Sequence, residues 1–430
     1  MSNNIFKVVI VGLLFLSAIV FGLPILAQEG VHESTDGRAQ QQQQHTQEGQ
    51  TMGAAHAHTA PAQGTPATTH GGGHEAEENG GPDLGGMIMH HVTDAHEFHI
   101  FKNISIPLPC IVFSPQRGLE FFLSNVFHHG HEAYNGYVLN HGVLMAVDDP
   151  NFPQGNVPVE VHEDKATKTS FAIANGRQYP VSRSGFYDFS ITKVVFTMLL
   201  TLLIMFLVFP SVAKAYSKRT VPKGVQSFFE PIILFIQNDV AKPNLGKHYQ
   251  RFMPFLLTVF FFIWISNVLG LIPFFPGGGN VMGNIAVTMT LALFTFILIN
   301  INGTKTYWGH IFNPPGVSFP INLIMILIEF LSIFIKPFAL MIRLFANIVA
   351  GHIIILSLVG IIFIAAHVGG TGAGFGASLV SSAFMLFMNV LELFVAALQA
   401  YIFTTLSAVF IGQALEEHHH HDESHGEAKH

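Results

Sequence analysis

The sequence predicts an all-α integral membrane protein with about five membrane-crossing segments, the last two long and tilted, joined to a small β-rich extracytoplasmic domain. Composition is the first reason: half of the 430 residues are hydrophobic and only 11% are charged, a balance soluble domains do not show. Placement of charge is the second. From Phe252 to Leu415 the only Asp, Glu, Lys or Arg residues are Lys305, Glu329, Lys336, Arg343 and Glu392. The third is a change of texture between residues 85 and 188, where short apolar runs alternate with turn residues.

Residues 1–27 have the form of an export signal, with Lys7 ahead of an apolar run from Val8 to Leu26. Residues 28–84 form a His-, Gln- and Gly-rich linker that includes five consecutive glutamines, Gln40 to Gln44, and holds too little apolar surface to offset its ordering entropy. In the β-rich region, Phe98 to Ile106, Gly118 to Phe127 and Tyr134 to Val147 read as strands. Asn175-Gly176 reads as a two-residue hairpin turn. Cys110 is the single cysteine, which excludes an intramolecular disulfide.

The membrane region, residues 189–415, opens with a span over Ile191 to Val212 behind Ser190. Lys214, Lys218, Arg219, Lys223, Lys242, Lys247 and Arg251 crowd the following loop, which places it in the cytoplasm. Spans over Pro254 to Phe275 and Val281 to Ile301 come next. Ile321 to Ala366 is longer than the ~20 residues one perpendicular span needs, so it must tilt. A glycine-rich turn, Gly369 to Gly376, leads to a last helix from Ser378 to Leu415. The His-rich tail, residues 416–430, then falls in the cytoplasm.

Arg343 lies in the middle of the fourth span. A guanidinium stays protonated in proteins, and such a charge at the centre of a membrane helix costs roughly 2.5–3.5 kcal/mol. Ser332, Lys336, Ala339, Arg343, Ala346, Asn347 and Ala350 recur at helical spacing, so around Arg343 one face is small or polar and open to close approach. Glu329 lies near the same stripe, and His352 is half a turn out of phase and should meet a different neighbour. On the last helix Glu392 and Gln399 share a face, with Asn389 a turn earlier. A fixed cation, two carboxylates, an imidazole and amides at membrane depth mark a water-filled path or proton relay. The alternative for Arg343 is an ion pair with Glu329 or Glu392 that rivets two helices.

Arg343-Leu-Phe-Ala-Asn-Ile-Val-Ala-Gly-His352 and Leu391-Glu-Leu-Phe-Val-Ala-Ala-Leu-Gln-Ala-Tyr-Ile-Phe403 resemble the two signature segments of subunit a of F-type ATP synthase. Ser266-Asn-Val-Leu-Gly-Leu-Ile-Pro273 resembles a third. The likeness runs from Ser190 to Leu415, leaves out the polar tract and covers the β-rich region weakly. It implies a non-catalytic stator subunit of a rotary motor in the bacterial inner membrane. Two half-channels would load and unload protons on the carboxylates of a c-ring. Further partners implied are peripheral-stalk b subunits, the soluble catalytic head through the stalks, and the lipid bilayer. Arg343 matches the essential arginine that faces each rotor carboxylate, and Asn347, Gln399 and Glu329 match half-channel positions. Many bacterial members carry Glu where this chain has His352 and His where it has Glu392; the exchanged pair also occurs in mitochondrial members.

A second function class is a metal-ion transporter with His-rich loops, raised by His90, His91, His96 and His99, by His128, His129 and His131, and by His418 to His421. Those histidines all lie outside the spans, which speaks against a dehydrated metal site on the transport path. No basic patch with interleaved aromatics points to nucleic acid, and no phosphate-cradling glycine loop or nucleophile motif calls for a cofactor or soluble catalysis.

Overall fold

A computed structural model describes residues 94–101, 104–140, 142–164, 169–218, 221–272, 275–312 and 319–416. The expected signal, the linker and all but Glu416 of the tail lie outside these residues. Twelve strands come first: β1 (Glu97–Phe101), β2 (Ile104–Pro107), β3 (Pro109–Ser114), β4 (Gly118–Leu123), β5 (Glu132–Tyr134), β6 (Tyr137–Asn140), β7 (Val143–Val147), β8 (Asn156–Pro158), β9 (Glu160–Asp164), β10 (Thr169–Ala174), β11 (Arg177–Ser182) and β12 (Tyr187–Asp188). Strands β8-β5-β6-β7-β11-β10-β9 make a seven-stranded sheet, β12-β3-β4 a three-stranded one, and β1-β2 a hairpin.

Alternation along β6 explains how the sheets stack. Val138 points into a core with Val147, Ala172 and Tyr179 on one face of the large sheet. Its neighbours Tyr137 and Leu139 point the other way, into a second core with Cys110, Val112 and Phe122 from the inner face of the small sheet. The Asn175-Gly176 turn forms as expected: both residues have positive φ (51° and 72°), and Ala174 pairs with Arg177. Three strand boundaries differ from expectation. Tyr134 to Val147 is broken by a second Asn-Gly pair, Asn135-Gly136, again at positive φ (50° and 74°). Phe98 to Ile106 doubles back, with Phe98 opposite Ile106. Strand β4 stops at Leu123, where a 3-10 turn begins and the Ser124 hydroxyl accepts from the Leu108 amide at 3.1 Å.

Helices follow: α1 (Lys193–Lys218), α2 (Val225–Phe235), α3 (Lys242–Leu245), α4 (Tyr249–Leu271), α5 (Ile285–Asn302), α6 (Lys305–Phe312) and α7 (Phe319–Leu415). The basic stretch expected to be a loop is largely helical. Its α2 is joined to α3 by the π-helical turn Ile236–Ala241, and Ile233, Ile236 and Val240 pack into the bundle core. Four helices among the described residues are long and apolar enough to cross a membrane: Lys193–Tyr216, Val225–Leu271, Ile285–Asn302 and Ile321–Leu415. The last is folded on itself. The expected glycine-rich turn is a single reversal at Gly370, whose φ of 74° only glycine adopts easily. Across it the arms run antiparallel, so that Lys336 reaches Gln413 and Asn347 reaches Gln399.

The β-rich region is fastened to the start of α1. Asp94 accepts from the Val194 amide at 3.1 Å, an N-cap supplied from a hundred residues away, and Lys193 donates its amide to the Ala95 carbonyl at 2.9 Å. Phe98, Phe196 and Phe275 meet as an aromatic trio with centroids 5.4–5.6 Å apart. His96, buried, bonds the Gly142 carbonyl at 2.7 Å through Nδ1 and Asp188 at 3.2 Å through Nε2. Burial opposes a charge on His96, but the bond to Asp188 and that carboxylate's charge outweigh it and raise its pKa above the usual 6.5. Burial likewise opposes the Asp188 charge, and His96 holds the carboxyl below its usual range.

A raised histidine stabilises the fold fully below its unfolded pKa of about 6.5 and loses that contribution as pH rises through the folded value. A lowered aspartate stabilises above its unfolded pKa of about 3.9 and loses it as pH falls through its own folded value. Hydrogen-exchange protection at the Phe189 and Ile191 amides, corrected for intrinsic pH dependence, should therefore peak in mildly acid solution and decline on the alkaline side. His96→Gln should remove that alkaline decline and cost about 1–3 kcal/mol. An unaltered decline in the variant contradicts the pairing.

Candidate functional site

The site is built on the two arms of α7 and the surface they turn outward. Leu340, Leu344 and Ile348 of the first arm are buried in the bundle core with Phe403, Ala408 and Ile411 of the second, so the opposite face of the first arm is left open. On it stand Ala339, Arg343, Ala346, Asn347 and Ala350, all exposed. This is the stripe that helical spacing predicted. Among the described residues, no carboxylate lies within ion-pair distance of Arg343, and the one His–carboxylate contact in the membrane helices is His352–Glu392. The rivet to Glu329 or Glu392 is therefore not formed.

Between the arms the polar groups engage one another. Asn347 donates from Nδ2 to Gln399 Oε1 at 3.0 Å, and Gln399 is 2% exposed. Lys336 donates from Nζ to Gln413 Oε1 at 3.1 Å. His352 Nε2 stands 3.9 Å from Glu392 Oε1. The carboxylate is buried, and neither of its oxygens has a hydrogen-bond partner among the described residues. An unpartnered buried carboxylate marks a place where water or a proton completes the bonding. His352 thus meets Glu392, which helical phase alone did not reveal. Glu329 is exposed about four turns before Arg343, away from this cluster, and Asn389 folds back on its own helix, donating to the Met385 carbonyl at 2.9 Å.

A family model for the ATP synthase A chain matches residues 195–412. The chain is 44% identical over 255 residues to ATP synthase subunit a of Chloroherpeton thalassium, covering 58% of this chain and 74% of that relative. The chain belongs to the ATP synthase subunit a family. A further family member, ATP synthase subunit a 2 of Chlorobaculum tepidum, is 48% identical over 245 residues, covering 55% of this chain and 66% of its own length. Subunit a of Anaeromyxobacter dehalogenans is 34% identical over 389 residues, covering 89% of this chain and 81% of its own. That alignment is too long to be confined to the membrane helices, so the likeness reaches well into the N-terminal region, further than the motifs indicated. Residues 87–173 match a separate model, Domain of unknown function (DUF8433).

Within this family assignment the histidines read as structural pairs. His96 is engaged by Asp188, His128 lies 3.8 Å from Glu132, and His129 bonds Glu97 at 3.1 Å. Among the described residues no three His, Cys, Asp or Glu side chains are grouped to hold a metal ion. His90, His91 and His418 to His421 lie outside the described residues.

Three residues of the membrane helices escaped sequence reasoning. Gly351 is one: a Cβ there would stand 2.7 Å from Glu392 Oε1, so a larger residue has to push the carboxylate away from the first arm. Its place beside His352 in the motif was the available signal. Asn267 of α4 is the second, with both side-chain amide atoms buried and unpartnered among the described residues. Gln413, the acceptor for Lys336, is the third, and nothing in its spacing singled it out.

Asn347→Leu should strand the buried Gln399 amide and destabilise the hairpin by about 1–3 kcal/mol. Thermal unfolding of the purified protein in detergent checks this, and an unchanged midpoint contradicts it. Gly351→Val should displace Glu392, visible as a larger change in the reactivity of that carboxyl toward a hydrophobic carbodiimide than Gly351→Ala produces. Equal reactivity in both variants and the parent contradicts the cradle.

Proposed function

We propose that this chain is the proton-conducting stator subunit of a rotary ATP synthase membrane sector, and that Arg343 divides its two half-channels. The observation that carries the reading is the open, small-residue face around an arginine with no acidic partner among the described residues. A charge kept at membrane depth needs a partner, and the close-approach surface of Ala339, Ala346 and Ala350 admits one from another helix. A rotor carboxylate supplies both the opposite charge and the reason for leaving the face free.

In this reading protons enter a cleft from outside, pass Glu392 and His352, protonate a c-ring carboxylate and leave through a second cleft to the cytoplasm after nearly a full turn. Asn347 and Gln399 line the path, and Glu329 stands toward its cytoplasmic end. The guanidinium repels a hydrated proton and favours the ionised rotor carboxylate, so protons cannot pass directly between the clefts. Helices α1, α4, α5 and the two arms of α7 make five crossings. Exposed Lys and Arg residues between α1 and α4 favour a cytoplasmic loop, the β-rich domain outside and the C-terminus inside. The bacterial inner membrane, the peripheral-stalk b subunits and, through the stalks, the catalytic head complete the expected setting.

Arg343→Ala should abolish ATP synthesis in membrane vesicles while the complex still assembles; synthesis at the parent rate overturns the gate. Glu392→Gln and His352→Ala should each slow ATP-driven proton pumping less severely, by no more than roughly 100-fold, the lower end of what a lost proton-transfer group costs. Parent-like pumping in both variants and in the double variant takes these residues off the path.

A further inference from the structure

The three-stranded sheet carries large apolar side chains on both faces, and its acidic residues Glu120 and Asp188 lie on the inner one. Cys110, Val112 and Phe122 occupy the inner face and are buried in the domain core. On the outer face Phe113 pairs with Leu119, Ile111 with Phe121 and Pro109 with Leu123, while Tyr187 lies opposite Phe113 with ring centroids 6.4 Å apart. Phe189 continues this face, its amide donating to the Ile111 carbonyl at 2.8 Å. Leu119 is 70% exposed and Phe121 69%, and Phe113, Leu123, Tyr187 and Phe189 are each more than 40% exposed. At roughly 150–250 Å² per aromatic side chain, the patch amounts to on the order of 500 Å², the upper end of what a soluble monomer leaves in water. None of its residues is charged.

Its position identifies what covers it. Backbone pairing along β3 continues past β12 through Phe189 to Ile191, whose amide donates to the Pro109 carbonyl at 3.0 Å. Two residues later α1 begins, and it turns Leu199, Leu203, Phe206 and Leu207 outward along its length. The Pro109–Leu123 end of the patch therefore sits at the mouth of a membrane helix. From there to Phe113 and Leu119 is four residues, about 13 Å of strand. At such a boundary tyrosine settles in the headgroup layer, which takes both its ring and its hydroxyl, and phenylalanine and leucine bury at the headgroup–acyl border.

We propose that the outer face of the β12-β3-β4 sheet lies on the outer leaflet of the bilayer, making the extracytoplasmic domain a monotopic, lipid-seated element beside α1. The inference rests on the orientation proposed above, with α1 as a crossing helix and the β-rich region outside. Lipid is favoured over a protein partner by direct continuity with the apolar surface of α1 and by the lack of any charged or amide group to orient a protein. Seated this way, the domain holds the Asp94 and His96 junction at a fixed height over the start of α1.

The test uses nitroxide side chains in the assembled synthase, reconstituted in phosphatidylcholine–phosphatidylglycerol vesicles. Burial pushes the thiol of Cys110 up to about 12, so the native cysteine stays unreactive. Probes go at Phe121→Cys and Leu119→Cys on the patch, Glu160→Cys on the far sheet edge and Leu203→Cys on α1. Both patch probes should collide with oxygen at least threefold more than with a water-soluble nickel chelate, as the Leu203 probe should, whereas the Glu160 probe shows the reverse. Patch probes open to nickel mean a bare aqueous face, and patch probes closed to both reagents mean a protein partner; either result overturns the proposal. A Leu203 probe open to nickel would instead sink the membrane reading itself, which keeps the two failures apart.

Discussion

Arg343 keeps its proton in any surroundings a protein provides, and the rest of the membrane region is arranged around that fact. The first arm of α7 turns Leu340, Leu344 and Ile348 inward, which leaves the guanidinium outward among alanines. A rivet between helices would have placed a carboxylate beside it, and Glu392, the acidic residue on the facing arm, is spent elsewhere. It is held instead between the arms, against Gly351 and 3.9 Å from His352. The molecule thus keeps its fixed charge out of ion-pair contact with its titratable groups. That separation fits the divided path proposed above.

The hairpin makes this division possible. Lys336 to Gln413, Asn347 to Gln399 and His352 to Glu392 are three cross-connections between antiparallel arms, set by the reversal at Gly370. Each places a polar group where hydrocarbon packing alone would leave freedom to slide, so together they fix register. The apolar remainder is largely unburied: only 11% of the most apolar stretch of Ile321–Leu415 is buried within the chain, against 83% for Val225–Leu271. An element so open on its own is completed by lipid and by neighbouring subunits.

Much of this was legible in the sequence because membrane helices carry two strong signals, long apolar runs and rare charges. Helical phase found the Arg343 stripe, and the family motifs named the other polar positions. What phase could not supply was the pairing across the hairpin. His352 and Glu392 lie on different arms, and their contact depends on where the chain reverses, which a run of glycines from 369 to 376 left open. Gly351 was invisible for the same reason, since its importance lies in the residue opposite. In the β-rich region the Asn175-Gly176 turn was found while Asn135-Gly136 was passed over, because Tyr134 to Val147 is apolar enough to mimic one continuous strand. The outer face of the small sheet was hidden differently. Its outward residues Ile111, Phe113, Leu119 and Phe121 are as apolar as the inward Cys110, Val112 and Phe122, and the acidic Glu120 and Asp188 fall on the inner side, so alternation could not tell an inner face from one seated on something else.

The most direct test of the account is a structure of the whole complex in a membrane, read at one distance: from the Arg343 guanidinium to the nearest carboxylate. The account predicts a carboxylate from a ring of small two-helix subunits, within a few ångströms directly or through one water, with Glu392 still beside His352. A guanidinium paired to Glu329 or Glu392 of its own chain, with no rotor helix against Ala339, Ala346 and Ala350, would contradict it.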